Sequence, residues 1–101
     1  MKPHGDYKLK LKGHIKCDYK LVICYWKDIV SQAEWSELTD AQKREPVNCV
    51  TVGWIIRHDL LTTVIASEFN FTNNKVINEC GNTTTIPTAN IVGMKTLRTK
   101  I

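Results

Sequence analysis

No part of this 101-residue chain stays apolar for the ~20 residues a membrane-spanning helix needs. Its longest apolar runs are Leu21 to Trp26 and Val52 to Ile56. The opening Met1-Lys2-Pro3-His4-Gly5-Asp6 leads into lysine-rich sequence without an apolar core, which argues against a secretion signal and for the cytoplasm. No two cysteines show the two-residue gap of zinc knuckles or redox motifs, since Cys17, Cys24, Cys49 and Cys80 lie 7, 25 and 31 residues apart. In a reducing compartment they are expected as free thiols. His14 and Cys17, with His4 and Cys24 nearby, lack a second ligand pair at a recognisable spacing, so no metal is expected.

Catalytic signatures are equally scarce. The chain has neither a phosphate-cradling glycine loop, nor a zincin helix, nor a nucleophile elbow, and its five glycines are scattered. His58-Asp59 is the most tempting acid/base pair, but neighbours in a turn do not form a base-plus-orienter geometry. The expectation is a protein without enzymatic activity or cofactor. Two Asn-x-Thr sequons, at Asn70 and Asn82, are about what eleven threonines give by chance.

What is present is concentrated. Residues 1 to 20 hold six lysines against Asp6 and Asp18, while residues 21 to 101 balance eight basic against eight acidic groups. The whole net charge of +4 therefore sits in the first fifth of the chain. Lys8, Lys10, Lys12 and Lys16 are the candidate contacts to nucleic acid, although an arm without arginine lacks the planar fork that grips phosphate bidentately. Tyr7-Lys8-Leu9-Lys10-Leu11-Lys12 alternates with period two, so residues 1–18 are expected either as a lysine-studded edge strand or as a disordered arm.

Residues 19–101 are expected as a single domain. Tyr19 to Lys27, rich in β-branched and aromatic residues, predicts a strand. Ser31-Gln32-Ala33-Glu34 and Thr39-Asp40-Ala41-Gln42 match capping boxes, predicting one or two short helical turns before Pro46, with Trp35 and Leu38 facing the core. Residues 49 to 69, CVTVGWIIRHDLLTTVIASEF, predict a hairpin turning at Arg57-His58-Asp59. Val50, Val52, Trp54 and Ile56 share a face assigned to the core. Thr51, Ile55 and Ile65 are assigned to the outer face, and Gly53 permits a bend or a close backbone approach. A turn at Asn70–Asn74 leads to a strand at 75–80, Gly81-Asn82 interrupts, and a second short strand spans Thr83–Ile86. Thr88-Ala89-Asn90 suits a single turn before a last strand over 91–97.

That order resembles a mainly β, five-stranded small barrel of the Sm-like or Src-homology type, with helical turns in the first long connection. A β-grasp or a plain meander satisfies the same order. Such a barrel with apolar outer faces and open edges is expected to form a homo-oligomer, a dimer above all. Trp26, Trp35 and Trp54 are expected chiefly as core filling.

A second resemblance rests on Tyr25-Trp26-Lys27-Asp28, Ser31, Trp35, Pro46 to Trp54, Ile86-Pro87 and Ile91. This pattern is similar to a group of short bacteriophage proteins with a strand ending in Trp-x-Asp, a central Thr-Val-Gly and a late Ile-Pro. The resemblance implies a viral origin, a small barrel and the cytoplasm of a bacterial host, and it assigns no site residues. The expected function is that of a non-enzymatic accessory protein, acting in counter-defence by blocking or sequestering a host protein or small signalling ligand. Its candidate partner-binding residues are Trp54, Ile55, Arg57, Phe69 and Phe71. The alternative is an Sm-like nucleic-acid-binding protein that uses the lysine arm.

Overall fold

The computed structural model describes residues 17–72 and 76–98. The lysine arm, apart from its last residues, and the Asn73-Asn74 turn lie outside these. Five strands, β1 (Leu21–Asp28), β2 (Val47–His58), β3 (Thr62–Phe71), β4 (Ile77–Pro87) and β5 (Ile91–Thr96), form one antiparallel sheet in the order β4-β3-β2-β1-β5. The sheet is open, with β4 and β5 at its edges. A single helical turn, α1 (Leu38–Ala41), sits in the long connection between β1 and β2, and a 3₁₀ turn, Thr88–Asn90, joins β4 to β5.

The twelve-residue β2 organises the sheet. Its first part, Val47 to Trp54, pairs with β1, and its last part, from Trp54 on, pairs with β3. Trp54 is paired on both sides, to Leu21 and to Ala66. Just beyond it the β2–β3 register shifts between Ile55 and Arg57, a bulge that increases twist and bends the strand. The sheet curls there, bringing Val22 and Cys24 of β1 into one buried cluster with Ile65 of β3 and Ile86 of β4. Trp26, Ile55, Ile91 and Met94 pack around that cluster.

This packing reverses the predicted faces of β2. Directly opposite residues in a ladder share a face, and the buried Val22 and Cys24 lie opposite Gly53 and Thr51. The inner face is therefore Cys49, Thr51, Gly53 and Ile55. Val50 and Val52, assigned to the core, are 59% and 49% exposed, and Trp54 and Ile56 are only half-buried. Ile65, assigned outward, is fully buried, and Thr51 accepts a 2.9 Å hydrogen bond from the Trp26 indole Nε1. Ile55 packs against the core.

The connection between β1 and β2 also departs from expectation. Neither capping box is used: Glu37 is the N-cap of α1 and makes no side-chain cap bond. No residue of α1 is buried, Trp35 is fully exposed and Leu38 is 80% exposed, so neither faces the core. Residues 77–87 make one continuous strand rather than two, because Asn82 adopts a positive φ of 49° inside it and keeps the ladder running. Asparagine tolerates that left-handed backbone better than most residues. The Thr88–Asn90 turn and the final strand are found as the sequence predicts.

Candidate interaction surface

The hairpin tip is held by Asp59. Its Oδ1 accepts backbone N–H bonds from Leu61 (3.0 Å) and Thr62 (2.8 Å), and its Oδ2 accepts a 2.8 Å charge-assisted bond from Arg57 Nε. The Arg57 bond foremost, then the two N–H groups, hold the Asp59 carboxyl down at about 2. Asp59 is thus occupied in shaping the turn, and its carboxylate makes no bond to its neighbour His58.

His58 belongs to a different network. Thr88 Oγ1 donates to the Asp59 carbonyl at 2.8 Å, which uses its one proton. In its 2.9 Å contact with Thr63 Oγ1 it must then accept, so Thr63 donates. The Thr63 proton being spent, Thr63 accepts from His58 Nδ1 at 2.8 Å. The chain of bonds assigns the proton of a neutral His58 to Nδ1 and leaves its lone pair on Nε2. Thr63 is the one fully buried polar residue among those described, and this network satisfies it. The sequence reading missed it. Its only signal was a threonine sharing the face of Ile65.

Of the candidate partner-binding residues, the fold brings two together. Trp54 lies against Phe69 with ring centroids 5.0 Å apart, and Tyr19 meets the same Phe69 at 5.7 Å. Trp54 and Phe69 are half-buried and Tyr19 is exposed, so the trio offers aromatic surface next to Phe71, which is 42% exposed at the end of β3. Ile55 is withdrawn into the core packing and leaves the candidate set. Arg57 is exposed but engaged with Asp59. Lys8, Lys10, Lys12 and Lys16 lie outside the described residues.

A second apolar surface was not anticipated. Ile23, Tyr25 and Lys27 of β1 share a face with Val52, Val50 and Asn48 of β2 and with Lys95 of β5. Tyr25, Val50 and Val52 are all exposed on it. Beside Tyr25 a groove of about 380 Å³ is lined by Trp26, Asn48, Cys49, Val92 and Gly93. The sequence concealed this surface because its residues read as core.

The four cysteines are free; Cys24 is buried, and burial pushes its thiol up, away from thiolate chemistry. Among the described residues no group of three or more His, Cys, Asp or Glu side chains is placed to hold a metal, and no helix is long and apolar enough to cross a membrane. Comparison with protein families, curated proteins and solved structures returns no match.

Proposed function

We propose that this is a non-enzymatic bacteriophage accessory protein that binds a host component, a protein or small signalling ligand, and blocks or sequesters it in the bacterial cytoplasm. The observation that supports this reading is an apolar excess at the surface. Fourteen large hydrophobic side chains are exposed among the described residues, against five hydrophobic residues in the buried core. Scattered exposed leucines are ordinary, but adjoining aromatic surface is what recognition uses. Tyr19, Trp54, Phe69 and Phe71 supply the anchors, because aromatic side chains give large contact area at low entropic cost. We further read the sheet as a small Sm-like barrel; its antiparallel order and bent β2 support that reading.

The test is native mass spectrometry of the protein purified from a bacterial host, beside two variants. Phe71→Ala combined with Trp54→Ala is expected to lose the co-purifying component, while alanine at Lys8, Lys10, Lys12 and Lys16 retains it. A nucleic acid that co-purifies with the wild type and is lost from the lysine variant would overturn this reading in favour of the Sm-like nucleic-acid-binding alternative. A chain that carries nothing would overturn both.

A further inference from the structure

The connection from residue 29 to 46 is ordered without being packed. Its backbone is shaped by Ala41 N–H to Glu37 C=O and Gln42 N–H to Leu38 C=O bonds, each 3.0 Å, and Arg44 Nη2 donates to Ser36 Oγ at 2.6 Å. Yet Ile29, Trp35 and Leu38 project into solvent, at 79%, 103% and 80% exposure. A pre-shaped prong carrying three bare apolar side chains is costly in water. Across the fold, Tyr25, Val50 and Val52 form an exposed sheet face that none of the described residues covers, and the groove beside Tyr25 has room for a large aromatic side chain.

We propose that these two surfaces belong to one interface: the 29–46 prong of one protomer docks on the Tyr25–Val50–Val52 face of a second copy, with Trp35 in the groove, and the exchange is reciprocal. Two observations select a second copy as the occupant. The first is area. The six side chains named together expose on the order of 800 Å² per protomer, the half-share of a standard specific interface of roughly 1,600 Å². A two-fold arrangement uses prong and face of each protomer once and closes on itself. The second is charge. Residues 29–46 carry Glu34, Glu37, Asp40 and Glu45 against Lys43 and Arg44, a net −2. The receiving face is rimmed by Lys27 and Lys95, neither of which has an ion-pair partner among the described residues. An acidic prong therefore meets a basic rim, which fixes orientation and discourages other pairings.

The experiment is sedimentation of the purified full chain over a concentration series, with substitutions at exposed positions that leave each protomer's own packing alone. Wild type is expected at twice 11.6 kDa. Leu38→Glu on the prong and Val50→Lys on the face are each expected to weaken the dimer at least about 30-fold, as loss of an interface anchor does. Circular dichroism should remain that of the wild type. Mixed in equal amounts, the two variants are expected to regain the dimer, because the altered prong of one meets the altered face of the other while the second pair of surfaces is unchanged. A wild type that stays at 11.6 kDa throughout the series overturns the proposal, as does a dimer indifferent to both substitutions. The assay contains no host component, so its outcome is independent of the partner-capture test on Trp54 and Phe71.

Discussion

A Cβ atom on Gly53 would stand 2.5 Å from the carbonyl oxygen of Ala66 and 2.7 Å from Ile65 Cγ2. Gly53 is therefore required by closeness: β3 occupies the place of a Cβ just where β2 passes from β1 to β3. One of the atoms in the way is backbone, which cannot rotate aside. Gly53→Ala is expected to lower the unfolding free energy by about 1–3 kcal/mol, the usual cost of overpacking. Urea denaturation measures it, and a variant as stable as wild type would show that the strands separate freely here.

The Thr63 hydroxyl should be worth more than its size suggests. Thr63→Val keeps the shape but leaves the His58 Nδ1–H without its acceptor and Thr88 without its donor. His58 is exposed and Thr88 half-buried, so water replaces part of what is lost, and denaturant unfolding of the variant is expected to show a loss of about 0.5–1.5 kcal/mol, the net worth of an ordinary hydrogen bond. Nitrogen NMR of the His58 ring gives a second readout: at high pH the wild type should hold its proton on Nδ1, and the variant should shift toward the Nε2 tautomer.

Asp59 predicts an acid titration. Its carboxyl is held at about 2 in the folded chain, against an ordinary 3.8. A depressed value means that the ionised form favours folding. Its contribution is complete above the unfolded value and fades as pH falls through the interval toward 2. The Leu61 and Thr62 amide resonances, whose N–H groups bond Asp59 Oδ1, should titrate with a midpoint near 2. Arg57→Ala is expected to move that midpoint upward, because the Arg57 bond is the largest cause. A midpoint already near 3.8 in the wild type would contradict the tip geometry.

Thiol reactivity should rank by environment. Cys17 and Cys80 are exposed, Cys49 is half-buried and Cys24 is buried with its thiol pushed up. A short iodoacetamide pulse followed by peptide mass spectrometry is expected to modify Cys17 and Cys80 first and Cys24 last. Equal rates at Cys24 and Cys80 would mean that the core is open.

Strand existence was legible because β-branched and aromatic runs stand between turn residues, and the Thr88–Asn90 turn carries a plain local signal. The hairpin turn was placed two residues early, since Arg57 and His58 pair with Val64 and Thr63 inside the ladder and the tip is residues 59–61. Face assignment was not. Both faces of β2 are apolar, so bulk placed Val50 and Val52 inside, whereas the register with Val22 and Cys24 decides for Thr51 and Gly53. That register is a long-range fact with no local mark. Ile55 alternates with Thr51 and Gly53 and was misassigned to the surface together with them; the bulge breaks alternation only beyond it. Gly81-Asn82 looked like an interruption because positive φ usually marks a turn; here it is accommodated within the ladder. Trp35 and Leu38 have the spacing of a core-facing stripe, and nothing in the sequence says that their own chain leaves them bare.

The position of β1 between β2 and β5 has a consequence for synthesis on the ribosome. The hairpins β1–β2, β2–β3 and β3–β4 join neighbours in sequence and can zip as each strand emerges. The β1–β5 ladder instead joins the first strand to the last, and the contact of greatest sequence separation is the one expected to form latest. Until Ile91–Thr96 has been made, one side of β1 carries unpaired backbone groups beside Tyr25. A nascent chain halted just after Pro87 would therefore be a four-stranded sheet with the β1 edge uncovered, and the six-residue β5 is what covers it.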